Sequence, residues 1–148
     1  MVSSDDAAFS WEAKLLGAER FDKCPNGIPG IEPRLNILYS EGVVKGKLSL
    51  QRFVDIVSTQ PAKLFGLAPQ KGHLTKGADA DIVLFDPSKS WTMGKATHHM
   101  ATDWSAYEGF KIKGKIEKVF SRGELIIDGD LCLGQKGRGR YLPRKLDD

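Results

Sequence analysis

The sequence predicts a mixed α/β chain, helical in its first half and strand-rich in its second. Three observations support this. Apolar residues recur at helical spacing up to Phe65. From Asp81 onward they fall in short runs bounded by turn residues. The period changes once, between Gly66 and Gly77. With 41% apolar and 28% charged residues the composition is that of a globular chain and not a disordered one. Its 148 residues suffice for one domain or the pieces of two.

The elements follow in order. Asp22 to Pro33 holds Pro25, Gly27, Pro29, Gly30 and Pro33 and is expected to be an irregular loop. A structured loop of this length in a small domain usually has a task. Pro33 opens a short helix with Leu35, Leu38 and Tyr39 on one face and Gly42 as its stop. Ser49 caps a second helix, whose apolar face is Leu50, Phe53, Val54 and Val57. A third starts at Thr59, carries Pro61 in its first turn, buries Ala62 and Phe65, and ends at Gly66. Asp81 to Asp86 reads as a strand stopped by Pro87. Lys115–Ser121 and Glu124–Asp128 flank Arg122-Gly123 as a hairpin, and Asp128-Gly129 turns the chain toward Leu131–Leu133. The second half is thus a small antiparallel β module, with a His- and aromatic-rich loop, Thr97 to Gly109, between its strands.

Composition narrows the function classes. A net charge of +3 is too small to argue for nucleic acid, although Lys136, Arg138, Arg140, Arg144 and Lys145 form a basic tail without an acid. That tail is read as a solvated terminus or a subunit contact. No apolar run reaches the ~18 residues of a membrane span. Met1 to Phe9 has acids where an export signal needs bases, so a cytoplasmic location is expected. Cys24 and Cys132 form no CxxC and are expected to be free thiols.

No phosphate loop, nucleophile elbow or dinucleotide fingerprint is present. The three histidines, His73, His98 and His99, lack HxH or HExxH spacing. His98 and His99 are adjacent, so their side chains diverge by ~100° on a helix or ~180° on a strand. They are expected to pack or hydrogen-bond locally. Trp11, Trp91 and Trp104 read as packing residues. By itself Ser4-Asp5-Asp6 reads as a turn or a helix cap.

The order of motifs carries more. Pro25-Asn26-Gly27-Ile28-Pro29-Gly30-Ile31-Glu32-Pro33-Arg34 is followed by Ser40-Glu41-Gly42-Val43 and by Ser58-Thr59-Gln60-Pro61-Ala62-Lys63-Leu64-Phe65-Gly66-Leu67. Then come Gly77-Ala78-Asp79-Ala80-Asp81-Ile82-Val83, Thr97-His98-His99-Met100, Tyr107-Glu108-Gly109 and Gly137-Arg138-Gly139-Arg140-Tyr141-Leu142. This series resembles the C-terminal part of the dihydropyrimidinases and D-hydantoinases, cyclic amidohydrolases of the amidohydrolase superfamily.

The resemblance implies an α/β fold: the end of a (β/α)8 TIM barrel, part of a small β-sandwich domain, and a C-terminal tail. The corresponding boundaries are residues 1–67, 68–135 and 136–148. It also implies hydrolysis of dihydropyrimidines or 5-substituted hydantoins to N-carbamoyl amino acids by a zinc enzyme with two metals. Most of the ligands would lie outside this chain, so the chain alone is expected to be inactive. Two divalent ions activate a shared water and polarise the ring carbonyl. Asp5 matches the last metal-site position, at the end of a barrel strand, and is assigned as metal ligand and proton-transferring base. Asp6 stands where the family often has His and is expected to point away from the metals. Asn26 sits in the loop whose main chain holds the ring amide. The tail implies a homotetramer. Neither nucleic acid nor membrane is an expected partner. The alternative is a non-catalytic dihydropyrimidinase-related assembly protein, against which Asn26 weighs.

Overall fold

The computed structural model describes residues 1–144. The first segment, Met1 to Ser10, has no regular secondary structure and ends at Ser10, whose side chain accepts a hydrogen bond from the Ala13 N–H and so starts α1 (Trp11–Leu15). A 3₁₀ turn, Phe21–Lys23, leads into the irregular loop that the prolines and glycines demand. Then α2 (Arg34–Ile37) begins behind Pro33.

Gly42 does not stop that helix. The chain continues from α2 through a π-helical segment, Leu38–Val44, and buries Gly42 within it. A Cβ at Gly42 would lie 2.8 Å from Leu48 Cδ1, so the glycine serves close approach. The helix ends at Gly46, whose φ of 69° is the left-handed conformation that closes a helix.

The next two expected helices are one rod. Ser49 caps α3 (Leu50–Val54) through Arg52 N–H, as expected. The rod passes without a break through a π-helical turn, Asp55–Thr59, into α4 (Gln60–Leu64). Thr59 is helical and not a start. Pro61 offers no N–H to the turn before it and would crowd a carbonyl there; the wider π turn relieves both problems. Gly66, at φ 63°, ends the rod as the sequence predicts. Its buried face is Phe53, Ile56 and Ala62, whereas Leu50, Val54 and Phe65 are exposed. Leu50 and Val54 precede the π turn, so its shift of helical phase bears only on the residues after it, Ala62 and Phe65.

Four strands form one antiparallel sheet in the order β1-β2-β3-β4: β1 (Ile82–Met93), β2 (Phe110–Ser121), β3 (Glu124–Asp128) and β4 (Leu131–Cys132). Pro87 does not stop β1. Asp86 pairs with Lys115 and Ser90 with Lys113, so the proline sits in a bulge where no ladder N–H is needed. The Arg122-Gly123 hairpin is as expected, with φ of 52° and 81° at the two turn residues.

Helix α2 and its π-helical continuation dock on β2. Ser40, buried on the π-helical segment, accepts a hydrogen bond from the Lys113 N–H at 3.2 Å. The Tyr39 ring lies 4.6 Å from Phe85 on β1 and 5.9 Å from Phe53 on α3, edge to face in both pairs. Met93 and Ile112 complete the buried apolar set.

Both cysteines are free, Cys24 half-buried and Cys132 exposed. No helix among the described residues is long and apolar enough to cross a membrane. Of the basic tail, Arg138 folds back onto its own chain. Its guanidinium donates to Ser121 O at 2.8 Å and reaches Glu124 at 3.0 Å. Arg144 lies over the Phe65 ring. Lys145 lies outside the described residues.

Candidate active site

Two stretches far apart in the early chain lie side by side. Ala7 N–H donates to Ile28 O at 3.3 Å. Ser4 sits beside Gly30, whose Cβ position would be 3.7 Å from Ser4 Cβ. Ser4–Ala7 therefore runs opposite to Gly27–Ile31, and Asp5 falls on the strip flanking the loop that carries Asn26. Val2 N–H donates to Ile56 O at 3.2 Å, which ties the segment to the second helical rod.

Asp5 is exposed and has a φ of 45°. Only one other described non-glycine residue has a positive φ, Arg122, and its hairpin explains it. Asp5 belongs to no helix, strand or turn. Aspartate tolerates this conformation better than most residues, but holding it there stores strain of the kind that collects at functional positions.

Gly27 makes the close approach possible. Its φ is 102°, and a Cβ there would lie 2.4 Å from Ala7 Cβ and 3.0 Å from Ala7 O. Asn26 is exposed at the crest of the loop. Among the described residues no hydrogen bond occupies its main chain, while the carbonyls on either side are taken.

Three side chains to which sequence reading gave no role in holding the loop do so. Lys14 on α1 donates to both Pro25 O and Gly27 O. Asp6, expected to stand apart, accepts from Gly30 N–H at 2.6 Å and Ile31 N–H at 3.0 Å. Glu32 accepts from the backbone N–H of His99 at 2.8 Å and of Met100 at 3.2 Å, and it meets the His99 ring at 2.7 Å. The hydrogen bond to Glu32 holds the His99 imidazole above its usual pKa, against a smaller opposing effect of burial. The partners of Lys14 and Asp6 are main-chain groups, which leave no mark in a sequence. Glu32 had one signal: an acid alone among prolines and glycines.

The histidines part company, as their adjacency implies, but not all of them locally. His73 bonds Thr75 at 2.8 Å. His99 reaches a residue 67 positions away. His98 buries both ring nitrogens without a partner among the described residues, as does Asn36 with its Oδ1. These two side chains line a cleft of about 710 Å³ together with Met93, His99, Asp130 and Cys132; neither Asp5 nor Asn26 lines it. Trp104 packs as expected, 5.7 Å from Trp11, and donates to Phe9 O at 2.7 Å. Trp91 donates to Gly114 O at 3.0 Å.

The amidohydrolase family model matches residues 23–126, most of the chain. This chain belongs to the amidohydrolase family. It is 47% identical over 144 residues to a D-hydantoinase of Geobacillus stearothermophilus, covering 97% of this amidohydrolase chain and 31% of that protein. A D-phenylhydantoinase of Escherichia coli is 44% identical, with 98% and 32% covered. Among solved structures, the D-hydantoinase of Bacillus sp. AR9 superposes with a TM-score of 0.94 at 46% identity, covering 100% of this chain and 32% of that one. The dihydropyrimidinase of Brevibacillus agri NCHU1002 gives 0.93 at 49% identity, with 97% and 32% covered. The chain thus spans about a third of the length of the curated relatives it matches. These relatives are D-hydantoinases and a dihydropyrimidinase, as the motif series implies.

Proposed function

We propose that this chain is the C-terminal portion of a zinc-dependent cyclic amidase that hydrolyses the ring amide of dihydropyrimidines or 5-substituted hydantoins to N-carbamoyl amino acids. Residues 1–67 would form the end of a (β/α)8 barrel, residues 68–135 part of a β-sandwich, and residues 136–148 a tail that joins subunits of a tetramer. The observation that carries the reading is the pairing of Ser4–Ala7 with Gly27–Ile31, which sets a strained aspartate beside the Asn26 loop in a chain 47% identical to a D-hydantoinase.

Zinc does not fit the described residues taken alone. No three His, Cys, Asp or Glu side chains among them converge on one point. Asp5 would supply one carboxylate to a site completed by residues outside this chain. Ring opening also needs a proton taken from the attacking water and returned to the leaving nitrogen, a task for a positioned carboxylate. We assign that transfer to Asp5. The exposed main chain of Asn26 would hold the ring amide through its N–H and C=O.

The test is Asp5→Asn in the full-length enzyme. The substitution keeps the volume and removes the base, so hydantoin and dihydrouracil turnover should fall by about 10²–10⁴-fold. Exposed Glu19→Gln serves as the charge-matched control. Asp6 is unsuitable for that purpose, because it accepts two loop N–H groups. Near-normal turnover in the Asp5 variant would overturn the assignment. Absence of turnover in the parent protein would favour the non-catalytic assembly reading.

A further inference from the structure

The Asn26 loop is gripped from two sides, and the grip has a chemical consequence. Lys14 donates to the carbonyls of Pro25 and Gly27, the residues on either side of Asn26. Its ammonium also faces the Phe9 ring at 5.4 Å and the Trp104 ring at 5.9 Å. Trp104 is itself fixed by its indole hydrogen bond to Phe9 O and by the Trp11 ring, and the Trp11 backbone N–H donates to Asp103 at 2.8 Å. At the far end of the loop Asp6 takes two consecutive N–H groups. Both grips are charge-assisted, and such bonds are about twice as strong as neutral ones.

We propose that Lys14 and Asp6 act together as a clamp that positions the Asn26 main chain for a cyclic amide, with Lys14 also sharpening Asn26 as a hydrogen-bond donor. The proposal rests on the cyclic-amidase reading above. Pro25 C=O and Asn26 N–H belong to one planar peptide unit. A cation on that oxygen draws electron density from the nitrogen and strengthens the N–H as a donor. A second bond at Gly27 O fixes the Gly27–Ile28 peptide plane, so one ammonium holds the plane before Asn26 and the plane after Gly27, and the Asn26–Gly27 plane is suspended between them. Lys14 is a positioning residue: its own atoms are committed to the loop and the aromatic rings.

The experiment compares Lys14→Met, Lys14→Arg and the parent in the full-length enzyme. Hydrogen exchange over residues 25–31, kcat and KM for hydantoin, and bound zinc are measured for each. The clamp predicts faster exchange in Lys14→Met and a loss of about 10²-fold in kcat/KM, the scale of a reactant displaced by roughly 1 Å. Zinc content should not change. Lys14→Arg, which keeps charge and donors, should recover part of both losses. Unchanged loop exchange in Lys14→Met overturns the clamp. Faster loop exchange in a protein whose parent form hydrolyses no cyclic amide supports the clamp and removes the amidase reading instead. If Lys14→Met does not fold, Asp6→Asn decides: faster exchange at Gly30 and Ile31 supports the clamp, and unchanged exchange there overturns it.

Discussion

Replacing Gly27 by alanine tests the apposition on which the site depends. Two effects add. An alanine held at a φ of 102° is strained by about 1–3 kcal/mol, as are other residues in sparsely populated regions. The new methyl would also lie 2.4 Å from Ala7 Cβ and 3.0 Å from Ala7 O, so a backbone segment must shift. Forced overpacking of that kind costs about 1–3 kcal/mol. Gly77 is the natural control. Its φ is 96°, almost the same, and nothing lies within 4 Å of its Cβ position. Gly77→Ala should therefore show the strain alone, and Gly27→Ala should be worse by the contact, about 1–3 kcal/mol. Urea unfolding of the full-length protein, read from matched midpoints and slopes, measures both. Adding Ala7→Gly to Gly27→Ala should recover a coupling of at least about 0.5 kcal/mol, since the two side chains then no longer compete for one space. Equal losses at Gly27 and Gly77, with no coupling to Ala7, would refute the close packing of the Asp5 segment on the loop.

Two further outcomes follow from the contacts that join helices, loop and sheet. The folded pKa of His99 is raised, so the His99–Glu32 pair contributes fully below the unfolded value of about 6.5, and the contribution is lost as pH rises through the raised folded value. With the His99 side chain 58% exposed, that contribution is roughly 0.2–1 kcal/mol. The melting-temperature gap between parent and His99→Gln should be open at pH 5.5–6 and close as pH rises above the unfolded value of about 6.5 and through the raised folded one; a gap that widens with pH would contradict the pairing. Tyr39→Leu keeps an apolar side chain but removes two edge-to-face pairs, with Phe85 and Phe53, and should cost about 1–3 kcal/mol in denaturant unfolding.

Much of the architecture is already present in the chain as local chemistry. Ser49 caps its helix, Arg122-Gly123 turns its hairpin, Gly66 closes its rod, and the prolines and glycines of residues 25–33 forbid regular structure. Each depends on dihedral preferences or on groups within a few positions, so sequence suffices. Where expectation failed, the cause was an irregularity of period. The π turns at Leu38–Val44 and Asp55–Thr59 carry the helices past Gly42 and Thr59. The bulge at Pro87 likewise carries β1 on to Met93. The motif series pointed to the amidohydrolase family and to Asp5 and Asn26 as candidates. The sequence did not contain the way these two segments are brought together. Lys14 and Asp6 act on carbonyl and N–H groups that every residue possesses, and Glu32 reaches a histidine 67 residues away. Backbone partners have no residue identity and distant partners no fixed spacing, so only the folded chain could select them.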